Sequence, residues 1–187
     1  MKKTSSGYSL IEVLIALAIT SVVLLTIVTL FYMGKRNVYS GKQMSYAVSV
    51  GTRILEDLST LTASDVLNDF TITDSTTLGT VTVQGTNYTN SYTRDTSTCT
   101  AAGTPPPAFT CTGDASGVYL LSNWKGLIGS TKLENAKVGL ILTPSSPADA
   151  TKKWSTARFI KIRAYIQWNE AQRRRIAYFD TTKVNRD

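Results

Sequence analysis

One long apolar segment dominates the N-terminal part of the chain. From Val13 to Met33 the sequence runs for 21 residues without a charged residue, a glycine or a proline. A helix of this length spans about 30 Å, which is the thickness of the hydrocarbon core of a bilayer. A buried core helix that is uncharged on every face is rare in soluble proteins. We therefore expect this segment to insert into a membrane.

An amphipathic pattern follows the apolar segment. Apolar or small residues recur at spacings of three and four, the period of a helix, at Met44, Val48, Gly51, Leu55, Leu58 and Leu61. We predict one helix from Ser9 to Leu61. Its first half is expected to be buried in lipid or in a filament, and its second half to pack on a globular domain.

Glu12 interrupts the apolar residues near the start of this helix. An unpaired carboxylate is costly inside a membrane and marks a candidate functional site. If the mature chain begins at Tyr8, its new ammonium group lies four residues before Glu12, on the same helix face. The two charges could pair within one chain or between neighbouring chains. The alternative is a Glu12 side chain that stays among the lipid headgroups.

The residues before the apolar segment differ from those of a secretory signal peptide. A signal peptide has an apolar region of about 7–15 residues, followed by small residues at the cleavage site. Here the apolar region is longer, and the small residues Ser5, Ser6 and Gly7 precede it. Cleavage after Gly7 would remove a short basic leader and leave the apolar helix on the mature protein.

The residues from Gly7 to Leu17, Gly-Tyr-Ser-Leu-Ile-Glu-Val-Leu-Ile-Ala-Leu, resemble the prepilin motif of type IV pilins and type II secretion pseudopilins. The resemblance implies that a prepilin peptidase cleaves between Gly7 and Tyr8 and methylates the amino group of Tyr8. It also implies that Glu12 docks the subunit into a growing filament. Two features depart from the family: the first mature residue is usually phenylalanine, and major pilins tend to carry glycine and proline partway along the apolar helix.

The long helix and the strands predicted below indicate an α+β fold, similar to that of type IV pilins, in which the helix packs on an antiparallel β-sheet. We assign residues 1–7 to the leader, 8–61 to the helix and 62–187 to a periplasmic globular domain. Within the helix, residues 8–33 form the transmembrane part, or filament core, and residues 34–61 the amphipathic part. The end of the chain, from Ile160 to Thr182, resembles minor pilins of the PilV type.

Alternating apolar and polar residues predict the strands of the C-terminal third. From Phe159 to Trp168 every second residue is apolar and falls on one face, namely Ile160, Ile162, Ala164, Ile166 and Trp168. Asn169–Gln172 is the predicted turn and Arg173–Asp180 the returning strand. Lys137–Thr143 is a further predicted strand, buried in the domain.

Threonine-rich sequence precedes this third of the chain. Residues 71–112 contain 15 threonines, which favour strands with one solvated face, as in Thr71–Thr73 and Thr80–Val83. Between this region and the long helix, Ala63–Phe70 is predicted to be a loop with a short helical turn, capped by Ser64 or Asp65.

Composition limits the chemistry that the chain can perform. It has no histidine and two cysteines, which excludes histidine-based triads and histidine or cysteine-rich metal sites. Paired carboxylates, a phosphate-binding glycine loop and an activated nucleophile are also absent from the sequence. We therefore expect no enzymatic activity, no cofactor and no metal. Cys99 and Cys111 are predicted to form a structural disulfide in an oxidising compartment, the alternative being two free thiols.

The net charge of +7 is typical of a protein that binds an acidic partner, and five basic residues near the C-terminus are candidates for such binding. Arg173, Arg174 and Arg175, with Lys161 and Arg163 on the neighbouring strand, could form a positive patch that binds DNA through its phosphates. The alternative is a solvated strand edge whose charges oppose aggregation.

These features together predict a minor type IV pilin that is incorporated into a pilus or primes its assembly. The alternatives are a type II secretion pseudopilin and a pilus-displayed subunit that binds DNA or a surface. The expected partners are other pilins, through the N-terminal helix, and the prepilin peptidase. Before assembly we expect a single-pass protein of the inner membrane with a periplasmic C-terminal domain; after assembly we expect it in the pilus at the cell surface.

Overall fold

The computed structural model describes residues 9–102, 108–111, 120–145, 154, 157–171 and 173–184. The leader and Tyr8 lie outside these residues. The helices are α1 (Leu10–Thr60), α2 (Ala63–Asp69) and α3 (Leu120–Gly129). The strands are β1 (Gly79–Val83), β2 (Thr86–Asp95), β3 (Cys99–Ala102), β4 (Ala108–Cys111), β5 (Glu134–Pro144), β6 (Phe159–Glu170) and β7 (Arg173–Val184).

The strands form one large and one small antiparallel sheet. The five-stranded sheet has the order β1-β2-β5-β6-β7, and the two-stranded sheet pairs β3 with β4. The C-terminal part of α1 packs on one face of the large sheet, which we call the helix face. This arrangement confirms the predicted α+β fold class.

The chain divides into two compact units, Met1–Lys42 and Gln43–Asp187, and α1 contributes residues to both. In the first unit the described side chains are exposed, apart from a half-buried Ser40. In the second unit α1 buries one stripe at helical spacing, consisting of Gln43, Ala47, Val50, Gly51, Ile54 and Leu58. The observed helix therefore agrees with the predicted one to within a residue at each end.

The buried stripe is rotated from the predicted one. Met44 and Val48 were expected in the core, but 47% and 43% of their surfaces are exposed. The small residue Gly51 explains the rotation, because it faces the Phe179 ring of β7 at very close range. A Cβ atom at position 51 would lie 2.1 Å from Cζ of Phe179.

The core lies between α1, α3 and the helix face of the sheet. The five alternating residues predicted for β6 are all buried there. Helix α3, which the sequence analysis did not identify, contributes Leu121, Trp124 and Ile128. The indole Nε1 of Trp124 donates to Asp57 Oδ2 at 3.0 Å, which links α3 to α1.

The opposite face of the sheet, the outer face, is partly covered by the β1–β2 hairpin. The hairpin turns at Gln84 and Gly85, whose φ angles of 48° and 79° are those of a tight two-residue turn. Val83 then packs on Ile141 and Tyr165 in a second small core. The ring of Tyr165 lies over Gly139, where a Cβ atom would be 2.4 Å from the ring.

Two local predictions were wrong. Thr71–Thr73 is not a strand, because the chain turns after α2: Thr71 has a φ of 55° and the N–H of Ile72 donates to the Leu67 carbonyl. Thr62, rather than Ser64 or Asp65, caps α2. Its hydroxyl accepts the N–H of Asp65 at 3.2 Å, and its own N–H donates to Asp65 Oδ2 at 2.9 Å, which makes a capping box.

Cys99 and Cys111 form the predicted disulfide. The two residues are directly opposite each other in the β3–β4 pair. Cys111 is buried in the core, where the Ser122 hydroxyl of α3 donates to its sulfur at 3.5 Å. The bridge therefore crosslinks the two strands of the small sheet, and the burial of Cys111 against α3 attaches that sheet to the rest of the Gln43–Asp187 unit.

Candidate functional site

Glu12 lies in the first turn of α1, with its side chain exposed. Its Oε2 accepts the backbone N–H of Ser9 at 2.9 Å, so the carboxylate satisfies one of the amides that a helix N-terminus leaves without a partner. The positive end of the helix dipole also favours a carboxylate at this position. Among the described residues Glu12 forms no ion pair, so the side chain retains capacity to bind a cation.

The surface of α1 beside Glu12 is apolar and indented. Val13, Ala16, Leu17 and Thr20 form a shallow depression with Glu12, because the side chain of Ala16 is short. A similar depression lies at Gly34, which has no side chain to fill it. Depressions of this kind accept the side chains of a neighbouring helix when helices pack.

The polar side chains of the apolar segment are satisfied within the helix. Thr20, Ser21, Thr26 and Thr29 each donate a hydrogen bond of 2.6–2.8 Å to a backbone carbonyl one turn earlier. Because these hydroxyls need no water, the segment can enter lipid or a packed helical bundle at little polar cost.

The apolar side chains of this segment are exposed to an unusual degree. Large residues such as Leu25, Leu30 and Phe31 have 70%, 66% and 76% of their surface accessible. Among the described residues, α1 is the one helix whose length and composition suffice to cross a membrane, with a mean hydropathy of 2.8 over its most apolar stretch. An exposed apolar surface this large is a site of contact with lipid or protein.

The structure does not bring the five basic residues of β6 and β7 into one cluster. Arg174 shares the outer face with Lys161 and Arg163, whereas Arg173 and Arg175 point to the other face. Arg174 lies six residues along β7 from Asp180, the register partner of Arg163, which is about 20 Å. Arg175 also forms an ion pair with Glu170 at 2.9 Å. The charges are therefore dispersed along the hairpin.

Arg163 is instead held by acidic and aromatic neighbours. Its Nε donates to Asp180 Oδ1 at 2.6 Å and its second terminal nitrogen donates to Oδ2 at 2.5 Å. The guanidinium lies 5.4 Å from the ring centres of both Tyr88 and Tyr178. Sequence reasoning missed these partners. Asp180 is the register partner of Arg163, but the predicted turn at Asn169–Gln172 would have placed Tyr178 there instead. No sequence signal places Tyr88, 75 residues earlier, beside Arg163.

These contacts change the pKa values of the group. Hydrogen bonding to Arg163 lowers the pKa of Asp180 below its ordinary value, and the same pair raises the pKa of the arginine. Burial, together with the neighbouring Tyr88, raises the pKa of Tyr178 to about 12. At neutral pH the cluster therefore holds a charged Arg163–Asp180 pair beside a neutral Tyr178.

Asp95 forms a separate polar cluster at the end of β2. It accepts the Ser97 N–H at 2.9 Å and the Tyr165 hydroxyl at 3.3 Å, and Lys137 Nζ lies 3.5 Å away. Burial acts to raise the pKa of Asp95, but the bonds from Ser97 and Lys137 outweigh it and the pKa falls below its ordinary value. Within the described residues no group of three or more acidic or cysteine side chains is placed to hold a metal ion.

Comparison with known families adds one match. A family model described as the prokaryotic N-terminal methylation motif matches residues 2–28, a range that contains Gly7, Tyr8 and Glu12. No curated protein and no solved structure matches the chain. The chain therefore carries a type IV prepilin-like motif, which implies processing by a prepilin peptidase and assembly with other pilins. The motif and the apolar part of α1 together fit membrane anchoring before assembly.

Proposed function

We propose that this prepilin-like chain is a minor type IV pilin of the PilV type. A prepilin peptidase cleaves it between Gly7 and Tyr8 and methylates Tyr8, and the mature subunit enters a pilus or primes its assembly. Before assembly it is a single-pass protein of the inner membrane with the Gln43–Asp187 unit in the periplasm. After assembly it is part of the pilus at the cell surface.

The observation that carries this proposal is the exposed apolar surface of α1 with one carboxylate at its start. Within the membrane, lipid covers this surface as well as a neighbouring helix would, so helix packing into the depressions at Ala16 and Gly34 supplies the association energy. Packing alone does not fix how far one helix slides along another. A buried charge pair fixes this axial position, because sliding the helices would separate the two charges, and an unpaired charge in a low-dielectric bundle is strongly destabilising.

Glu12 supplies the negative half of that pair. Its carboxylate is bonded to Ser9 of its own helix and has no cation among the described residues. The Tyr8 ammonium of a neighbouring subunit is the natural partner, because cleavage creates it four residues before Glu12 in the sequence. Pairing between subunits then sets their axial register in the filament.

The proposal is tested by Glu12→Gln, which keeps the shape of the side chain and removes its charge. Removing one partner of a buried, hydrogen-bonded pair costs about 2–5 kcal/mol, so we expect at least a tenfold loss of the subunit from sheared pili. Leader cleavage and the amount in the membrane should not change. Glu56→Gln is the matched control, because Glu56 lies on the same helix in an exposed pair with Arg53. Normal incorporation of the Glu12→Gln subunit would overturn the assignment.

A type II secretion pseudopilin is the second candidate, since it uses the same kind of N-terminal helix. The threonine-rich β2 and the disulfide-linked β3–β4 pair support the pilus subunit. The two functions differ in what a deletion removes. Loss of pili with normal protein secretion supports the pilin, and loss of secretion with normal pili supports the pseudopilin.

A further inference from the structure

A concave groove lies on the outer face of the large sheet, within the Gln43–Asp187 unit. Tyr88 of the β1–β2 hairpin forms one wall, and Thr143, Lys161, Arg163, Asp180 and Thr182 line the floor. The cavity measures about 370 Å³, which falls within the range of about 300–1,000 Å³ for small-molecule pockets. The groove exists because the hairpin bends over the outer face instead of continuing the plane of the sheet.

The polar groups of the groove are fixed before any ligand arrives. The two bonds to Asp180, with a third at 3.3 Å from Arg163 to the Tyr88 hydroxyl, use three of the five N–H donors of the guanidinium. The Asp180 carboxylate is 57% exposed and can accept further hydrogen bonds. A donor and an acceptor therefore stand side by side in a rigid planar pair.

The groove also carries one positive charge that is not neutralised. Arg163 and Asp180 cancel, whereas Lys161 is exposed and forms no ion pair with any described residue. A ligand with one negative group at that end of the groove is favoured over a neutral one. A nucleic acid is a poorer fit, because a run of phosphates needs several unpaired cations along its path and would pass close to the carboxylate of Asp180.

A saccharide ring matches the remaining features. Its C–H face can pack on an aromatic ring such as Tyr88, and its neighbouring hydroxyls can bridge a carboxylate and a guanidinium. The Thr182 hydroxyl on the floor adds a further donor and acceptor. We propose that this groove binds an acidic saccharide, a hexuronate unit whose carboxylate pairs with Lys161.

This proposal does not depend on the role of Glu12 or on assembly into a filament. It would hold for a pilin or a pseudopilin, because the groove lies entirely in the Gln43–Asp187 unit. Failure of saccharide binding would not contradict the proposed function. Normal incorporation of the Glu12→Gln subunit would likewise not contradict saccharide binding in the groove.

Calorimetric titration of the full chain in detergent micelles tests the proposal. The probes are methyl galacturonoside, which carries a single carboxylate, the neutral methyl galactoside and a short oligothymidylate. We expect methyl galacturonoside to bind more tightly than the other two. Lys161→Gln should weaken this binding at least tenfold. Lys132→Gln, which changes another exposed lysine that does not line the groove, should leave it unchanged.

A second variant tests the aromatic wall. Tyr88→Ala should also weaken methyl galacturonoside binding at least tenfold, with the fluorescence of the buried tryptophans verifying that the domain is folded. Failure of methyl galacturonoside to bind at millimolar concentration would overturn the proposal. So would equal binding of the neutral methyl galactoside, equal or tighter binding of oligothymidylate, or full binding by the Lys161→Gln variant.

Discussion

Reducing the disulfide between Cys99 and Cys111 is expected to destabilise the Gln43–Asp187 unit without unfolding it. The bridge closes a loop of sequence separation 12. On the chain-entropy model a loop of that length contributes about 3 kcal/mol, by restricting the unfolded chain. Domains have a free energy of unfolding of about 5–15 kcal/mol, so the reduced domain should remain folded with a lower free energy of unfolding. The expected fall in Tm is about 6–12 °C.

Tryptophan fluorescence reports this change selectively. All three tryptophans, Trp124, Trp154 and Trp168, are buried in the Gln43–Asp187 unit. Urea unfolding of the full chain in micelles, with and without a reductant, therefore follows this unit and not the apolar segment. The expected result is a lower midpoint in the reductant.

The Cys99→Ala/Cys111→Ala double variant is the control. Its midpoint should be low in both conditions, because the reductant has no bond to act on. Equal midpoints for the native chain in both conditions would refute the reasoning that the bridge stabilises the domain. A stabilising bridge requires an oxidising compartment, so its contribution also bears on the proposed periplasmic location.

Two further perturbations test the packing and the electrostatics of the domain. Gly51→Leu should displace the Phe179 ring and lower the unfolding free energy by about 1–3 kcal/mol. Gly41 has open space around it, so the control Gly41→Leu should be neutral or stabilising by up to about 1 kcal/mol. Equal stability of the two variants in urea would contradict the close approach of Gly51 to the sheet. The pKa of Asp95 is held below its ordinary value, so its stabilising contribution is fully present above about pH 4 and is lost as the pH falls through the lowered pKa. Asp95→Asn should accordingly make unfolding less dependent on pH below about pH 4, and an unchanged acid unfolding profile would contradict that role.

The parts of the fold that the sequence predicted correctly rest on long periodic patterns. Helix α1 extends over many turns, and apolar residues occupy every second position of β6 from Ile160 to Trp168. Patterns of this length remain recognisable even when single positions depart from them. The rotation of the buried stripe on α1 was not predictable in this way. It depends on Phe179 reaching Gly51 from a strand more than a hundred residues later.

Helix α3 was missed although a signal was present. Leu120, Leu121, Trp124, Leu127 and Ile128 follow the helical period, but the segment is short and follows a region rich in glycine and serine. The bond from the Ser9 N–H to the Glu12 carboxylate likewise had a signal in the sequence, since a serine precedes an acid by three residues.

The groove around Arg163 could be predicted only in part. The β6–β7 register places Asp180 opposite Arg163, because β6 continues to Glu170, which pairs with Arg173. The predicted turn, Asn169–Gln172, is two residues too long and would have placed Tyr178 opposite Arg163. The position of Tyr88 depends on how the β1–β2 hairpin bends over the outer face. Local sequence does not specify that bend, because it results from Val83 packing on Ile141 and Tyr165.

Determination of the mature N-terminus tests most directly whether the chain is processed as a prepilin. The protein can be purified from membranes of cells with an active prepilin peptidase, and its first residues determined by mass spectrometry of the N-terminal peptide. We expect a chain that begins at Tyr8, carries one methyl group on its amino nitrogen and has Glu12 as its fifth residue. A mature chain that starts at any other residue, or one that retains Met1 to Gly7, would contradict it.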